Sequence, residues 1–348
     1  MAFSLDSVLR DNIKKAKPYS SARDEYKGTE GIFLDANENP FGSVTKKIVN
    51  RYPDPLQRDV KDALSKVKNV PAENIFLGNG SDEPIDLLIR ATCQPGVDNI
   101  IILPPTYGMY EVSAGINDVE MVIVPLTKEF NLNTDAILAA VNSKTKIIFI
   151  CSPNNPTGNI MNEDKVKQIL TSFSGIVVVD EAYIDFADTP GFVPLLNQYP
   201  NLVVLQTFSK AWGMAALRLG VAFASKEIIS VLNKIKPPYN INLLTQECAM
   251  EALQNVSEKD RMVRLILEQR DWLRNELSKL ALCLELYPSD ANFILMRTAD
   301  GKKVYDYLVQ HTVITRDRSK VMLCEGCVRI TVGTSEENKK VIAVLKTF

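Results

Sequence analysis

The chain has 348 residues, of which 46% are hydrophobic and 24% charged, which is typical of a globular protein with about two domains. Forty basic side chains face forty-two acidic ones, and the net charge of −2 predicts that the chain binds neither nucleic acid nor an anionic membrane. No apolar run approaches the roughly 20 residues of a membrane-spanning helix, and the N-terminus MAFSLDSVLRDNIKK lacks a secretory signal, so we expect a cytoplasmic protein.

The cysteine and histidine residues argue against several kinds of active site. Six cysteines in a long, unsecreted chain predict reduced thiols, and only Cys324 and Cys327 have the spacing of a redox or metal motif. That pair leads into the strand-like run CVRITVG, and no second pair accompanies it, so we predict no metal site. His311 is the only histidine and stands at the predicted end of a helix, where it would act as a cap. Acid–base chemistry therefore depends on other residue types.

Short apolar runs rich in β-forming residues alternate with amphipathic stretches through the middle of the chain. The runs predicted as strands are NIIIL (99–103), VEMVIV (119–124), KIIFIC (146–151), GIVVVD (175–180), NLVVLQ (201–206) and GVAFA (220–224). Continuous apolar strands separated by helices indicate a largely parallel sheet with helices on both faces. Ligands of such sheets bind beyond the carboxyl ends of the strands, so the polar residues after each run are the candidates for a site.

The pattern changes after PPYNIN (237–242). Two long amphipathic helices are predicted over about 243–256 and 258–280, followed by short strands, a further helix and a closing helix. The expected fold is α/β, with a three-layer large domain over residues 40–242 and a smaller α+β domain formed by residues 1–39 and 243–348. The first forty residues lack the parallel-sheet pattern, and we expect them to pack on the second domain.

Two predicted strand ends carry polar turns. The stretch GNGSDEPIDLLIR (78–90) places Gly80, Ser81 and Asp82 just before a helix, where backbone N–H groups can bind a phosphate. Ser81 as an ordinary N-cap explains this pattern equally well. The stretch CSPNNPTG (151–158), which contains Asn155, forms a rigid polar turn after a buried strand, although asparagine and proline are common turn formers anywhere.

Two further strand ends carry a carboxylate and an amine. Asp180 ends the apolar run VVVD, where a carboxylate needs a cationic partner such as a protonated pyridine nitrogen or a structural ion pair. The next strand leads into TFSKAWGMAALRLG (207–220), which contains Thr207, Ser209, Lys210 and Arg218. An amine beside hydroxyls and a guanidinium suits a phosphorylated carbonyl ligand, because the amine can form an imine while the others hold the phosphate. Each feature alone has a structural explanation, but their order favours a common site.

Together these motifs resemble the fold type I, aspartate-aminotransferase-like superfamily of enzymes that use pyridoxal 5′-phosphate (PLP). The resemblance is carried by the Gly80–Asp82 loop, NNPTG, Asp180, Tyr183, Ser209, Lys210 and Arg218. Within that superfamily the chain is similar to the histidinol-phosphate aminotransferase family. The stretches that carry this narrower similarity are PYSSAR (18–23), DANENPFG (35–42), RYPDP (51–55), DEAYIDF (180–186), PPYNIN (237–242), TRDRS (315–319) and VRITVGT (328–334).

The resemblance implies a role for each matching residue. Lys210 carries PLP as a Schiff base and moves a proton during transamination, while Asp180 keeps the ring nitrogen protonated. Asn155 and Tyr183 hydrogen-bond the phenolate oxygen of PLP, and Tyr107 stacks on the ring. The residues expected around the phosphate are Gly80, Ser81, Asp82, Thr207, Ser209 and Arg218. Tyr52 is expected to reach the phosphate of the neighbouring subunit, so that the active unit is a homodimer with shared sites.

The resemblance also implies the substrates. The expected reaction converts L-histidinol phosphate and 2-oxoglutarate to imidazole-acetol phosphate and L-glutamate, in histidine biosynthesis. Arg316 and Arg329 are expected to bind the anionic substrate groups, since guanidinium suits carboxylate and phosphate alike, and Tyr19 to contact the imidazole. Three alternatives stay open: a PLP-dependent threonine-phosphate decarboxylase-like enzyme, another aromatic aminotransferase, and a PLP-binding sensor. The sensor would need an attached DNA-binding domain, for which the chain has no spare length.

Overall fold

The computed structural model describes residues 3–19 and 31–348. The strands in these ranges are β1 (Ile75–Asn79), β2 (Asn99–Ile102), β3 (Glu120–Ile123), β4 (Thr145–Cys151), β5 (Ile176–Asp180), β6 (Leu202–Thr207), β7 (Leu219–Ala224), β8 (Glu285–Leu286), β9 (Phe293–Arg297), β10 (Arg316–Asp317) and β11 (Cys327–Thr331). The α-helices span Leu5–Val8, Asp11–Lys15, Arg58–Lys68, Asp82–Thr92, Met109–Ile116, Thr134–Ala140, Glu163–Ser172, Lys226–Ile235, Leu243–Gln254, Val256–Leu277, Gly301–Gln310 and Ser335–Leu345. Short 3-10 helices cover Ala72–Asn74, Ile184–Phe186, Val193–Leu195 and Ala215–Leu217.

The strands form two sheets. The large sheet has the order β1-β7-β6-β5-β4-β2-β3, in which β2 to β6 pair in parallel and β7 runs antiparallel to both of its neighbours. The small sheet is antiparallel, with the order β10-β11-β9-β8. The predicted α/β fold with a mostly parallel sheet and a smaller α+β part is therefore confirmed. Every predicted strand of the large sheet is present, and β1 is an additional strand that the sequence interpretation missed.

Alternate residues of the large sheet face two separate apolar cores. Along β5, Val177 and Val179 pack into one cluster, whereas Ile176 and Val178 pack into the other. The first core is covered by the helices Arg58–Lys68, Glu163–Ser172 and Leu243–Gln254, and the second by Asp82–Thr92, Met109–Ile116 and Lys226–Ile235. Because both faces are covered, the strands need apolar residues at every position, which explains their continuous runs in the sequence.

The small sheet has its own core. Ile294 and Ile330 from β9 and β11 pack against Leu273 and Leu308 of two helices. The closing helix Ser335–Leu345 begins at Thr334 with a reciprocal capping box, in which the Thr334 and Glu337 side chains each accept a backbone N–H of the other residue. None of the helices in the described ranges is long and apolar enough to cross a membrane.

The N-terminal residues differ from expectation. For residues 3–19 the prediction that they pack on the second domain is wrong, because Val8 belongs to an apolar core of the large sheet. The Arg10 N–H also donates to Ala91 O at 3.0 Å, and Lys234 Nζ donates to Ile13 O at 2.7 Å. The apolar side chains of this short segment pack against the same core that the Lys226–Ile235 helix covers. The domain boundary near residue 242 stays a prediction.

Candidate active site

The predicted strand ends meet at one edge of the large sheet. Cys151 pairs with Asp180 across the parallel strands β4 and β5, and Thr207 pairs with Gly220 where β6 ends and β7 begins. Asn79, the last residue of β1, pairs with Leu219, the first residue of β7. The polar residues that follow or precede these positions are thereby brought together, as the alternation of strands and helices predicted.

Asp180 lies buried at the end of β5, with 2% of its surface exposed. The Tyr110 hydroxyl donates to its Oδ2 at 2.8 Å, and the Ala182 N–H donates to its Oδ1 at 3.1 Å. Burial raises the pKa of the carboxyl from its usual 3.8 to about 6, although both hydrogen bonds favour the ionised form. Both partners are neutral, so the carboxylate is well suited to a cationic group of a ligand.

The Gly80–Asp82 loop lies so close to β7 that Gly220 has no room for a side chain, and Gly80 has a backbone conformation that favours glycine. Gly80 has a φ of +71°, and a Cβ on it would lie 2.7 Å from Arg218 Nη2. A Cβ on Gly220 would lie 2.1 Å from the Gly80 carbonyl carbon and 2.2 Å from Ser81 N. Ser81 makes no side-chain capping hydrogen bond with the helix Asp82–Thr92, so an ordinary N-cap does not explain the loop. Glycine at both positions permits the close backbone approach.

Arg218 stands beside this loop in the left-handed backbone conformation, with a φ of +52°. Its guanidinium reaches Ser209 Oγ at 3.4 Å and Asp82 Oδ2 at 3.5 Å, and the side chain stays half-exposed. Thr207 Oγ1 donates to Leu219 O at 3.2 Å and accepts the Ser209 N–H at 3.1 Å. A guanidinium, a hydroxyl and a helix start in one place can bind a phosphate.

Lys210 lies between this cluster and Tyr183, with its Nζ 5.5 Å from the centre of the Tyr183 ring. Burial, followed by the charges of Arg329 and Arg218, lowers the pKa of Lys210. A lowered pKa increases the fraction of neutral amine, which is the form that attacks a carbonyl. Burial also raises the pKa of Tyr183, so its hydroxyl stays protonated and can donate a hydrogen bond.

Arg329 reaches from β11 of the small sheet to the turn after β4. Its Nη1 donates to Asn155 Oδ1, and its guanidinium carbon lies 5.1 Å from the centre of the Phe293 ring. Burial lowers the pKa of Arg329, and its Nε is buried without a hydrogen-bond partner among the described residues. An unsatisfied guanidinium nitrogen next to Lys210 suits an anionic ligand group.

Tyr107 joins the site through Asp82. Its hydroxyl donates to Asp82 Oδ1 at 3.0 Å, and its ring packs edge-on against Tyr110 with 5.7 Å between ring centres. Because Tyr110 bonds to Asp180, the two tyrosines connect the Gly80–Asp82 loop to the end of β5. The predicted stacking of Tyr107 on a cofactor ring stays a prediction.

Three predicted site residues are not brought into this cluster by contacts within the described chain. Tyr52 stacks on Tyr239, with 4.4 Å between ring centres and 17° between ring planes. Tyr19 is exposed and lines a cavity of about 610 Å³ between the N-terminal segment and the Lys226–Ile235 helix. Arg316 pairs with Arg329 across β10 and β11 but is exposed. The rest of the motif PYSSAR lies outside the described residues.

Three residues of the site were missed by the sequence interpretation. Nothing in the sequence marked Tyr110 as a site residue, because a tyrosine on the buried face of a helix is indistinguishable from an ordinary core residue. Gly220 could have been found, since a glycine within a strand often marks a close backbone approach. Arg318 could also have been found, because it lies in the same motif TRDRS as Arg316. Its Nε is buried without a partner in the described structure, and its charge partly opposes the rise that burial causes in the pKa of Tyr183.

Comparison with known proteins identifies the family of the chain. The profile of the family "Aminotransferase class I and II" matches residues 29–345. The chain is 83% identical to the histidinol-phosphate aminotransferase of Cytophaga hutchinsonii over 348 residues, 100% of each chain. Its fold matches the histidinol-phosphate aminotransferase of Clostridium acetobutylicum, at 25% identity and a TM-score of 0.80, over 86% of this chain and 90% of that one. It also matches that of Sinorhizobium meliloti in complex with PLP, at 22% identity and a TM-score of 0.79, over 90% and 89% of the two chains.

The chain therefore belongs to the class I and II aminotransferases, a class of PLP-dependent enzymes. The large sheet belongs to the fold shared with the solved aminotransferases. Within this class, the full-length similarity places the chain in the histidinol-phosphate aminotransferase family. The predictions of an aminotransferase and of PLP as its cofactor are confirmed.

The strand-end residues fit PLP on chemical grounds. Asp180 offers a buried carboxylate with neutral partners, which suits a protonated pyridine nitrogen. Lys210 offers an amine with a lowered pKa, which suits the aldehyde. Gly220 lets the Gly80–Asp82 loop approach β7 closely, and Arg218 brings a positive charge beside that loop, which suits the phosphate.

Proposed function

We propose that this enzyme transfers the amino group of L-histidinol phosphate to 2-oxoglutarate, forming imidazole-acetol phosphate and L-glutamate, in the cytoplasmic synthesis of histidine. The observation that carries the proposal is the 83% identity to a histidinol-phosphate aminotransferase along the whole chain. At that similarity over the whole chain, we expect the two enzymes to share a substrate. The two half-reactions would alternate at one site.

Bound PLP would supply an electron-accepting ring that stabilises negative charge on the substrate carbon. Asp180 would accept a hydrogen bond from the protonated ring nitrogen, with Tyr110 fixing the carboxylate. Lys210 Nζ would take the proton from the substrate carbon and deliver it to C4′ of the cofactor, which the lowered pKa of its amine permits. Asn155 and Tyr183 would hydrogen-bond the ring oxygen, and the Arg329 contact would orient Asn155.

The phosphate of PLP would lie between the Gly80–Asp82 loop and Arg218. Ser209 holds the Arg218 guanidinium, and Thr207 holds Ser209, so these side chains are oriented before a ligand arrives. The residues proposed to surround this phosphate are Gly80, Ser81, Asp82, Thr207, Ser209 and Arg218, with Tyr107 against the ring. Charge-assisted hydrogen bonds of this kind are among the stronger ones in proteins.

The anionic groups of the two substrates would bind beside the small sheet. Arg329 is the best-supported residue, because its buried Nε lacks a partner among the described residues and its guanidinium carbon lies over Phe293. Arg316 lies opposite on β10 and would bind the more distant anion. Tyr19 would contact the imidazole from the N-terminal segment. A planar guanidinium binds either carboxylate or phosphate, as an enzyme with two anionic substrates requires.

A panel of amino donors tests the reaction. Purified enzyme with 2-oxoglutarate should form glutamate from L-histidinol phosphate without releasing CO₂. L-Histidinol without phosphate is the matched control, and we expect it to react more slowly because it leaves an arginine without an anionic partner. Aromatic amino acids, whose anionic group is a carboxylate, measure the breadth of the substrate range. Release of CO₂ from O-phospho-L-threonine, with no glutamate from histidinol phosphate, would instead indicate a decarboxylase.

We further propose that the enzyme is a homodimer with shared sites. Large apolar side chains are strongly exposed along residues 32–48, among them Ile32, Leu34, Phe41, Val44 and Ile48. An apolar surface of this kind is typical of a protein–protein interface, and a second copy would cover it. Tyr52 follows directly and its hydroxyl would contact the phosphate in the partner, since its ring packs on Tyr239 rather than on Arg218.

Complementation between inactive variants tests the shared site. Lys210→Ala should be inactive, and a severe inactive Tyr52 variant would supply the intact lysine. Half of the sites in a mixed dimer would then combine Lys210 from one chain with Tyr52 from the other, and part of the activity should return. Tagged co-purification confirms subunit exchange beforehand. Mixed dimers that form but stay inactive would show that Tyr52 does not serve the neighbouring site.

A further inference from the structure

Asn240 lies in the segment 237–242, which follows the Lys226–Ile235 helix and crosses the end of β1. Its Nδ2 donates to Leu77 O at 2.9 Å and to the two oxygens of Glu83 at 3.3 and 3.2 Å. Its own carbonyl oxygen accepts a hydrogen bond from Asn79 Nδ2 at 2.7 Å. Both the side chain and the backbone of Asn240 are therefore committed to the region around the end of β1.

The two partners Asn79 and Glu83 flank the Gly80–Asp82 loop. Asn79 directly precedes Gly80, and Glu83 directly follows Asp82. They also bond to each other, since the Asn79 N–H and Nδ2 both donate to Glu83 Oε2, at 2.5 and 3.1 Å. Asn240 therefore holds both ends of the loop at once, although it is about 160 residues away in the sequence.

The charge of Glu83 makes the choice of an amide at position 240 significant. A carboxylate next to a phosphate-binding loop repels a phosphate unless its oxygens are directed elsewhere. The donors from Asn79 and Asn240 occupy both Glu83 oxygens and keep the carboxylate within the first turn of its helix. An aspartate at position 240 would place two carboxylates together and push Glu83 towards the loop.

The segment that carries Asn240 is itself firmly held. Lys236, a buried lysine, donates to Pro55 O at 2.8 Å and to Pro238 O at 2.6 Å. Gln57 donates to the same Pro55 carbonyl at 2.7 Å and to Asn240 Oδ1 at 3.3 Å. A buried ammonium bonded to several carbonyls gives the Asn240 side chain a fixed support.

We propose that Asn240 is a positioning residue for the cofactor phosphate, which sets the Gly80–Asp82 loop by holding Asn79 and Glu83 together. The proposal rests on the proposed function, because it takes this loop to bind the phosphate of PLP. Asn240 itself touches neither the phosphate nor the substrate. Its effect should therefore depend on the phosphate group of the cofactor and not on the aldehyde or the ring.

Comparing PLP with pyridoxal, which lacks the phosphate, tests this role. Full-length enzyme is reconstituted with each compound, and the dissociation constants are measured by equilibrium absorbance titration. Asn240→Ala should weaken PLP binding about tenfold, as expected for the loss of a hydrogen bond to a charged group, and leave pyridoxal binding unchanged. Asn240→Asp should weaken PLP binding more than Asn240→Ala does, because of the added repulsion.

Two further variants separate positioning from general stability. Asn74→Ala is the matched control, because Asn74 Nδ2 also donates to a backbone carbonyl, Ala224 O at 2.7 Å. This contact lies at the opposite end of β1 and β7 from the Gly80–Asp82 loop. Asn74→Ala should change neither the affinity for PLP nor the affinity for pyridoxal. Combining Glu83→Gln with Asn240→Ala should not weaken PLP binding beyond the effect of Asn240→Ala alone, since both substitutions act through one contact and the amide at position 83 no longer repels the phosphate.

The outcomes distinguish this inference from the proposed function. Equal losses of PLP and pyridoxal affinity in Asn240→Ala, or no loss of either, would overturn the positioning role while the wild type still prefers PLP. A wild type that binds PLP no better than pyridoxal would overturn the phosphate site itself, and this inference with it. A selective loss for PLP, greater in Asn240→Asp, supports the role.

Discussion

Replacement of Asp180 by asparagine should stabilise the cofactor-free enzyme and destabilise its complex with PLP. The raised pKa means that the native state binds the Asp180 proton more tightly than the unfolded state, so ionisation costs stability as the pH rises from 3.8 towards 6. This rise corresponds to about 3 kcal/mol at pH 8, where the cost is complete. Because Asp180 is 2% exposed, solvent screening reduces the value little. About half of the cost remains at pH 5, about a fifth at pH 4 and nearly none below about pH 3.

The substitution has one opposing effect. Asparagine has a single acceptor oxygen, so either the Tyr110 hydroxyl or the Ala182 N–H loses its acceptor, at about 1 kcal/mol. The net gain at pH 8 is then about 2 kcal/mol, which for a chain of this length raises Tm by about 3 °C. With PLP bound, the protonated ring nitrogen compensates the wild-type carboxylate but not the amide, so the order of stability reverses.

Thermal unfolding with and without saturating PLP, at pH 8 and pH 4.5, measures both effects. Asp98→Asn is the control, because Asp98 is similarly buried but forms an ion pair with Lys146 at 3.7 Å and should gain nothing from neutralisation. A cofactor-free Asp180→Asn enzyme that is no more stable than the wild type at pH 8 would refute the argument. So would a gain in Tm that is the same at both pH values.

Three further substitutions address the rest of the site. Lys210→Ala should lose nearly all turnover and should show no covalent PLP adduct by mass spectrometry after borohydride reduction, and a wild-type rate would exclude Lys210 as the attachment point. Gly220→Ala should lower stability by about 1–3 kcal/mol and weaken PLP binding, because its Cβ would lie 2.1 Å from the loop backbone. Gly115→Ala, which lies in a helix with open space around it, is the control and should not lower stability or PLP affinity. Arg329→Lys should raise KM for both substrates about tenfold or more, since an ammonium cannot replace the planar fork; a change for one substrate only would limit Arg329 to that half-reaction.

The sequence predicted the large sheet well because its strands are covered on both faces. Runs such as KIIFIC and GIVVVD are recognisable as strands from the sequence alone. Burial on both faces makes them continuously apolar, without the alternation of a half-exposed strand or the 3.6-residue period of an amphipathic helix. β1 was missed for a physical reason as well. Its sequence IFLGN contains a glycine, and the strand ends in the loop that packs on β7, so the apolar run is short.

The sequence predicted those site residues that stand at the ends of strands. It did not predict those that reach the site through packing between distant parts of the chain. Asp180 and Lys210 each follow a strand, so the parallel pattern alone brings them to one edge. Tyr110 bonds to Asp180 from a helix on the covering layer, and no local pattern reports that contact. The same holds for the N-terminal segment, whose few apolar residues do not indicate which surface they cover.

Burial has opposite consequences for the two central residues, and both consequences suit the proposed chemistry. It raises the pKa of Asp180 and lowers the pKa of Lys210, so that each residue resists its charged form in the absence of a ligand. For Lys210 this resistance is useful at once, because the neutral amine is the nucleophile. For Asp180 it makes the ionised carboxylate depend on a cationic partner, so a protonated ring nitrogen gains more at this position than it would at a solvated aspartate. Burial of Asp180 therefore destabilises the cofactor-free enzyme, and the same burial makes the site favour a ligand with a protonated pyridine ring.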